Sequence, residues 1–266
     1  MKYIHGYSSD ESNRLNDQAD SLTDILHYDS IWPEGSKILE AGCGVGAQTK
    51  TIAAKNQKSN FVSIDISKES LAQAQEMVIS MGLNNIEFVQ ASIFDLPFED
   101  ESFDHIFVCF LLEHLPNPID ALFAAQRVLK PRGTIMVIEG DHGSTYFHPD
   151  SPEATKAVQC QVLLQKQSGG DANIGRKLYP IFQEAGLKEI KVSPRQVYVD
   201  DSNPKLVEGF TKNTFTAMIQ GIAGEAVARQ LISPEDAAKG ISDLLTTASG
   251  GGTFCYTFFK GIGIKG

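Results

Sequence analysis

The stretch Glu40-Ala41-Gly42-Cys43-Gly44-Val45-Gly46 constrains this chain more than any other. It follows the apolar pair Ile38-Leu39 and precedes a helix-compatible run, Ala47 to Lys55. Glycines at alternate positions between a strand and a helix let the backbone turn sharply. They also bring a ligand against bare peptide N–H groups at a helix N-terminus. That is the chemistry of a nucleotide-type cofactor loop. Gly42, Gly44 and Ala47 also satisfy the dinucleotide fingerprint in its alanine-ending form, so the spacing alone leaves the cofactor open.

The rest of the chain narrows the choice. With 266 residues, 42% of them hydrophobic, it can bury a full core, and its size suits one cofactor domain with an inserted cap. Asp plus Glu outnumber Lys plus Arg by 33 to 23, and a net charge of -10 repels a polyphosphate surface, which argues against a nucleic-acid partner. Cys43, Cys109, Cys160 and Cys255 lie far apart with no paired spacing, so no metal site is expected and the cysteines read as cytosolic thiols. No uncharged apolar run approaches the ~20 residues needed to cross a bilayer. The opening Met1-Lys2-Tyr3-Ile4-His5-Gly6 has no apolar signal core, and the expectation is a cytoplasmic protein without a membrane partner.

Asp10 to Tyr28 reads as an amphipathic helix with Leu15, Ala19, Leu22, Ile25 and Leu26 on one face. Arg14 and Gln18 lie a turn apart on the other side, either as a solvated face or as part of a cover over the cofactor. In the second reading Arg14 pairs a carboxylate and Tyr7 closes the pocket. Lys37 to Glu40 is the first strand and Asn60 to Ile66 the second, placing Asp65 at a strand end beside the glycine loop. A carboxylate there accepts hydrogen bonds from two ribose hydroxyls. A helix from Ser67 to Met81 stops at Gly82, and further strands follow at Ile86 to Gln90 and Phe103 to Cys109.

The ordered series Glu-Ala-Gly-Cys-Gly-Val-Gly, Ser-Ile-Asp-Ile-Ser, Asp-Leu-Pro-Phe, Ser-Phe-Asp-His-Ile and Leu-Leu-Glu-His-Leu resembles the class I S-adenosylmethionine-dependent methyltransferases. Within them it is most similar to the ubiquinone and menaquinone biosynthesis branch. Val128 to Glu139 is similar to the fifth-strand motif of that family, so the resemblance covers about Lys37 to Glu139. It implies an α/β fold, a Rossmann-like seven-stranded sheet of order 3-2-1-4-5-7-6 with the last strand antiparallel, helices on both faces and a helical cap. The core is then 37–140 and 175–266, with cap helices at about 141–174 and 201–233, behind an N-terminal cover at 1–36. The resemblance also implies S-adenosyl-L-methionine as cofactor, with Glu40, Gly42, Gly44 and Gly46 at its methionine end and Asp65 on the ribose. Ile66 would lie on one adenine face. Ser92 stands where the family has an acid facing the adenine amino group, and the Ile93 backbone N–H reaches the ring. Cys109 matches the position whose carbonyl receives the methionine ammonium.

His114 is read as structural or pocket-lining. Beyond the fifth strand, Gly140 to Pro149 reads either as a loop overhanging the methyl group or as a polar loop capping the next helix; in the first reading His142 and then Tyr146 are the candidates for a substrate contact or general base. The expected strand six is Lys188 to Val192 and strand seven Thr253 to Phe259. Phe210, Phe215 and Met218 line either an apolar substrate cavity or ordinary core. The reading is methyl transfer to a small-molecule acceptor. Transfer to protein or RNA, and a cofactor-binding regulator without turnover, stay open beside it.

Overall fold

The computed structural model describes the backbone from Ser9 to Gly266 and side chains from Arg14 onward, so Tyr7 lies outside the described residues. The elements follow in the order α1 (Ser9–Leu26), β1 (Lys37–Ala41), α2 (Thr49–Lys55), β2 (Asn60–Asp65), α3 (Lys68–Ser80), β3 (Ile86–Gln90) and β4 (Phe103–Cys109). A 3₁₀ turn at Leu112–His114 leads to α4 (Pro118–Val128), β5 (Leu129–His148) and α5 (Pro152–Gln167). Then come α6 (Leu178–Glu184), β6 (Lys188–Val199) and α7 (Pro204–Leu206), a π-helical stretch at Val207–Thr216, α8 (Ala217–Ala228), α9 (Pro234–Thr246) and β7 (Thr253–Ile264).

The seven strands form one sheet in the order β3-β2-β1-β4-β5-β7-β6, parallel except for β7, which runs antiparallel to both neighbours. Each strand feeds both faces because side chains alternate along it. Ile38, Phe107, Met136 and Ile138 join α1, α2, α5, α8 and α9 in one apolar core. Their neighbours Leu39, Ile106, Val108, Ile135 and Val137 join α4 and α6 in the other. Helix starts are written locally: Ser151-Pro152-Glu153 and Ser233-Pro234-Glu235 each place a serine cap before a first-turn proline. The serine oxygens accept from Ala154 N and Asp236 N at 3.0 Å.

The structure differs from the sequence expectation in one consequential way. Residues 141–148, expected as a loop opening the cap, continue β5, with a register shift between Asp141 and Tyr146. The cause is β7, which extends for twelve residues and gives Tyr146, Phe147 and His148 partners at Cys255, Phe254 and Thr253. β6 lengthens for the same reason, pairing through Val199 with Phe254. α9, beyond the expected cap range, packs on α5. α1 packs on the π-helical stretch, so the first and last thirds of the chain meet above the carboxyl ends of the strands.

Candidate active site

The site grows out of the end of β1. Gly42 N and Cys43 N donate to Ile64 O at 2.8 and 3.0 Å, which folds the glycine loop back against β2. Gly44 N then donates to Asp65 Oδ2 at 2.9 Å, and Ser67 N to Asp65 Oδ1 at 2.8 Å. The carboxylate is thereby fixed by two backbone donors while each oxygen keeps lone-pair capacity for another. Gly44 has φ +53 and nothing within 4 Å of where a Cβ would stand, so a ligand can approach its bare backbone. Gly46 serves packing instead: a Cβ there would sit 2.7 Å from Met77 Cε and 2.9 Å from Ala74 Cβ, so α3 lies directly against the loop.

Above the loop opens a cavity of about 490 Å³. Gly42, Gly44, Asp65, Ile66, Ser92, Ile93 and Cys109 line one end, and Arg14, Leu15 and Gln18 of α1 reach its rim. Ser92 Oγ accepts from Phe94 N at 3.2 Å. The other end is a chamber of Phe110, Phe210, Phe215, Met218, Tyr256 and Phe258, closed on one side by His142. Phe110 turns into it with φ +55, a left-handed conformation rare outside glycine and typical of functional turns. The Phe210, Phe215 and Met218 stripe is thus cavity wall as well as core.

Three candidates lie outside the cavity lining: Glu40, Tyr146 and Gly46, the last packed against α3. Glu40 is buried beneath the loop and does not line the cavity. Its Oε2 accepts from Thr49 Oγ1 at 2.8 Å and from Ser63 Oγ at 2.6 Å, bracing β1 to β2 and α2. Tyr146 is 58% exposed on the extended part of β5, its hydroxyl accepting from Gln196 Nε2 at 3.0 Å, and does not reach the cavity. The strand continuation past Asp141 carries it away.

Sequence reading missed three residues here. Tyr256 hydrogen-bonds His142 Nδ1 at 2.8 Å inside the chamber. Glu139 Oε1 accepts from Leu111 N and Leu112 N at 3.0 and 2.7 Å, holding the turn that carries Phe110. Burial and the neighbouring Glu113 push this carboxyl well above its ordinary range. Gln165 of α5 donates to both the backbone and the carboxylate of Glu113 at 3.0 Å, tying the cap to that turn. The Cys43 and Cys109 thiols are pushed up by burial and nearby carboxylates, so both stay protonated and unreactive.

Burial also pushes Glu40 up, to about 7, against the bonds from Ser63 and Thr49 that lower it. Its folded value lies above its unfolded one, so the folded state binds the proton more tightly, and stability falls as pH rises from the unfolded value towards 7. Glu40→Gln removes that titration. Relative to wild type, the variant is expected to gain about 2–3 kcal/mol between pH ~5 and pH ~8 in urea unfolding. Parallel pH profiles for the two proteins would refute the assignment.

Residues 33–186, more than half of the chain, match the methyltransferase domain family. The chain belongs to the class I S-adenosylmethionine-dependent methyltransferases, in the ubiquinone and menaquinone biosynthesis branch, and S-adenosylmethionine is its cofactor. It is 30% identical over 210 residues to a demethylmenaquinone methyltransferase of Bacillus cytotoxicus, covering 70% of this chain and 89% of that one. To its Bacillus subtilis counterpart it is 26% identical over 171 residues, 59% of this chain and 73% of the relative. Among solved structures the fold is similar to the YcgJ protein of Bacillus subtilis, with a TM-score of 0.57, 18% identity and coverage of 96% and 98%. It is also similar to phosphoethanolamine N-methyltransferase 2 of Haemonchus contortus, with a TM-score of 0.56, 17% identity and coverage of 94% and 53%. The cavity lining is chemically compatible with that cofactor: backbone open at Gly44, a carboxylate held by two backbone donors at Asp65 and the apolar Ile66 all border it.

Proposed function

We propose that this enzyme methylates a small, flat and largely apolar acceptor held in the aromatic chamber beside the cofactor cleft. One observation carries the reading: the chamber is continuous with the cleft, and Phe110, Phe210, Phe215, Tyr256 and Phe258 wall it with ring faces and edges. Tyr256 and Phe258 ring centres are 4.6 Å apart, and Phe110 and Phe258 5.3 Å. A flat acceptor stacks on such walls and excludes water. The similarity to demethylmenaquinone methyltransferases supports a ring-bearing small molecule, and the net charge of -10 disfavours nucleic acid. No helix among the described residues is long and apolar enough to cross a membrane, and all four cysteines are free, in keeping with work in the cytoplasm.

When bound, S-adenosylmethionine would supply an electrophilic methyl carbon on a sulfonium, a group that leaves as a neutral thioether. The protein's part is alignment and desolvation. Asp65 would hold the ribose, Ile66, Ser92 and the Ile93 N–H the adenine, and Gly42, Gly44 and the Cys109 carbonyl the methionine end, with Glu40 and Gly46 supporting the loop from beneath. Arg14 closes the rim, and α1 with the cap helices forms the cover. His142 is the polar contact to the acceptor.

The test is incubation with methyl-labelled cofactor and a panel of quinols, phenols, aliphatic enols and amines, beside protein and RNA extracts. Label on a ring-bearing small molecule is expected. Label on macromolecules alone would replace the reading with a protein or RNA methyltransferase. Tight cofactor binding with no transfer would make the chain a cofactor-binding regulator.

A further inference from the structure

The chamber contains one polar side-chain arrangement whose hydrogens can be counted. His142 is buried, with Nδ1 2.8 Å from the Tyr256 hydroxyl, while Nε2 is buried at the cavity wall and has no partner among the described residues. Two assignments are possible. If Tyr256 donates to Nδ1, its only proton is used and the imidazole proton sits on Nε2. If Nδ1–H donates to Tyr256, the phenol proton and the Nε2 lone pair are both left unmet in an apolar chamber. A phenol is a far better donor than a neutral imidazole N–H, and the first arrangement leaves one orphan where the second leaves two.

We infer that His142 is a fixed hydrogen-bond donor, its Nε2–H offered to an oxygen of the acceptor and its tautomer held by Tyr256. The inference rests on the proposed methyl transfer and, of the two roles expected from sequence, takes the substrate contact over the general base. Burial keeps the ring neutral: it lowers the imidazole below its ordinary value, with His114 and Arg14 acting the same way against Glu113 and Asp141. Tyr256 acts through His142 as a positioning residue. Its place depends on Gly140, where a Cβ would collide with the Tyr256 hydroxyl, so the glycine opens the path from Tyr256 to the histidine. His142 and Tyr256 ring centres are 5.6 Å apart at 73°, and Phe215 flanks both at 6.2 and 5.7 Å, so the pair is packed edge to face within the aromatic wall.

The consequence is a choice of acceptor. A neutral donor in an apolar chamber stabilises a phenolate or enolate oxygen and gives nothing to an ammonium group. An acceptor that enters as the anion has already left its proton in water, so the transfer step removes none, and the site needs no base.

Nitrogen NMR of histidine-labelled protein, with His142→Gln to assign the signal, reads the tautomer directly. A pyrrole-type Nε2 and pyridine-type Nδ1 are expected across neutral pH, with mixed tautomers in Tyr256→Phe. The reverse tautomer, or an imidazolium, overturns the inference. The second readout is the ionisation of para-nitrophenol, followed by absorbance, in protein saturated with S-adenosylhomocysteine. The bound dye should ionise about one unit lower than the free dye. That shift is expected to fall by half or more in Tyr256→Phe, to vanish in His142→Leu and to survive partly in His142→Gln, whose amide still donates. Absence of binding, or an unshifted dye in wild type, overturns the oxygen clamp. Failure of the methyltransferase reading looks different: S-adenosylhomocysteine binds and no acceptor takes label, whatever the tautomer.

Discussion

Asp65→Ala is expected to weaken S-adenosylhomocysteine binding more than a hundredfold while leaving the protein folded. Each carboxylate oxygen of Asp65 accepts one backbone N–H, from Gly44 at 2.9 Å and Ser67 at 2.8 Å, and has capacity for one ribose hydroxyl more. Hydrogen bonds to a charged acceptor contribute about 1.5–3 kcal/mol each, so losing two to the ribose costs about 3–6 kcal/mol. At about 1.4 kcal/mol per decade, that alone exceeds a hundredfold. The loop adds to the loss, because the Gly44 N–H loses its acceptor at the end of β2 and only the bonds of Gly42 N and Cys43 N to Ile64 O, among those described, still hold the loop there. Asp65→Asn should fall between, since one end of its amide presents hydrogens to a backbone N–H that needs an acceptor. Calorimetric titration checks the ranking, with thermal unfolding as the folding control. An Asp65→Ala protein that binds within threefold of wild type would remove the carboxylate from the cofactor site.

What could be read in advance was local in sequence. The glycine loop, the acid closing β2 and the glycine stop at Gly82, where φ is +68, each do their work within a few residues, so their chemistry is written where it acts. Strand order followed from a resemblance carried by several motifs in register. The misplaced residues depend on partners far along the chain. Gly140, Gly143 and the polar residues between Asp141 and His148 look like a loop until β7 supplies more than a hundred residues later the ladder that makes them strand. Tyr146 leaves the site for that reason. Tyr256 was hidden because Phe254, Tyr256 and Phe258 alternate as any buried strand does, and only the fold sets one hydroxyl of that stripe against His142. Glu40 shows the opposite error. A motif position named the right neighbourhood, but the carboxylate is buried beneath the loop, where it accepts from Thr49 and Ser63 and does not line the cavity.

Asp29→Ala is expected to destabilise the protein by about 3 kcal/mol or more, from a residue that does not line the cavity. Lys260 of β7 is 1% exposed and donates to Asp29 Oδ1 at 2.7 Å and Ser30 Oγ at 3.2 Å. Arg195 of β6, also buried, donates to Asp29 Oδ2 at 2.7 Å and to the Tyr28 hydroxyl, and its guanidinium lies 4.5 Å over the Tyr28 ring. One carboxylate on the connection between α1 and β1 therefore balances two buried cations and anchors the α1 end to the sheet. Its removal leaves both charges without a counter-ion, the case in which a buried pair is most costly to break. The pH dependence follows from the cations. Burial already lowers Lys260 below its ordinary value, and Asp29 opposes that shift. Without Asp29 the folded value drops further, and the unfolded chain binds more protons across a window that widens towards neutrality. Stability rises with pH inside that window, so the deficit of the variant should shrink from pH ~6 to pH ~9. His27, beside Lys260, is held near 4 by burial, so stability also rises with pH between about 4 and 6.5 on its account, in wild type and variant alike, and that slope largely cancels in the deficit. Lys260→Met in the Asp29→Ala background should recover part of the loss by replacing an unpaired charge with apolar volume. Urea unfolding at the two pH values decides it: a deficit below about 1 kcal/mol, or one unchanged with pH, would mean that solvent screens the cluster and that the anchor rests on packing instead.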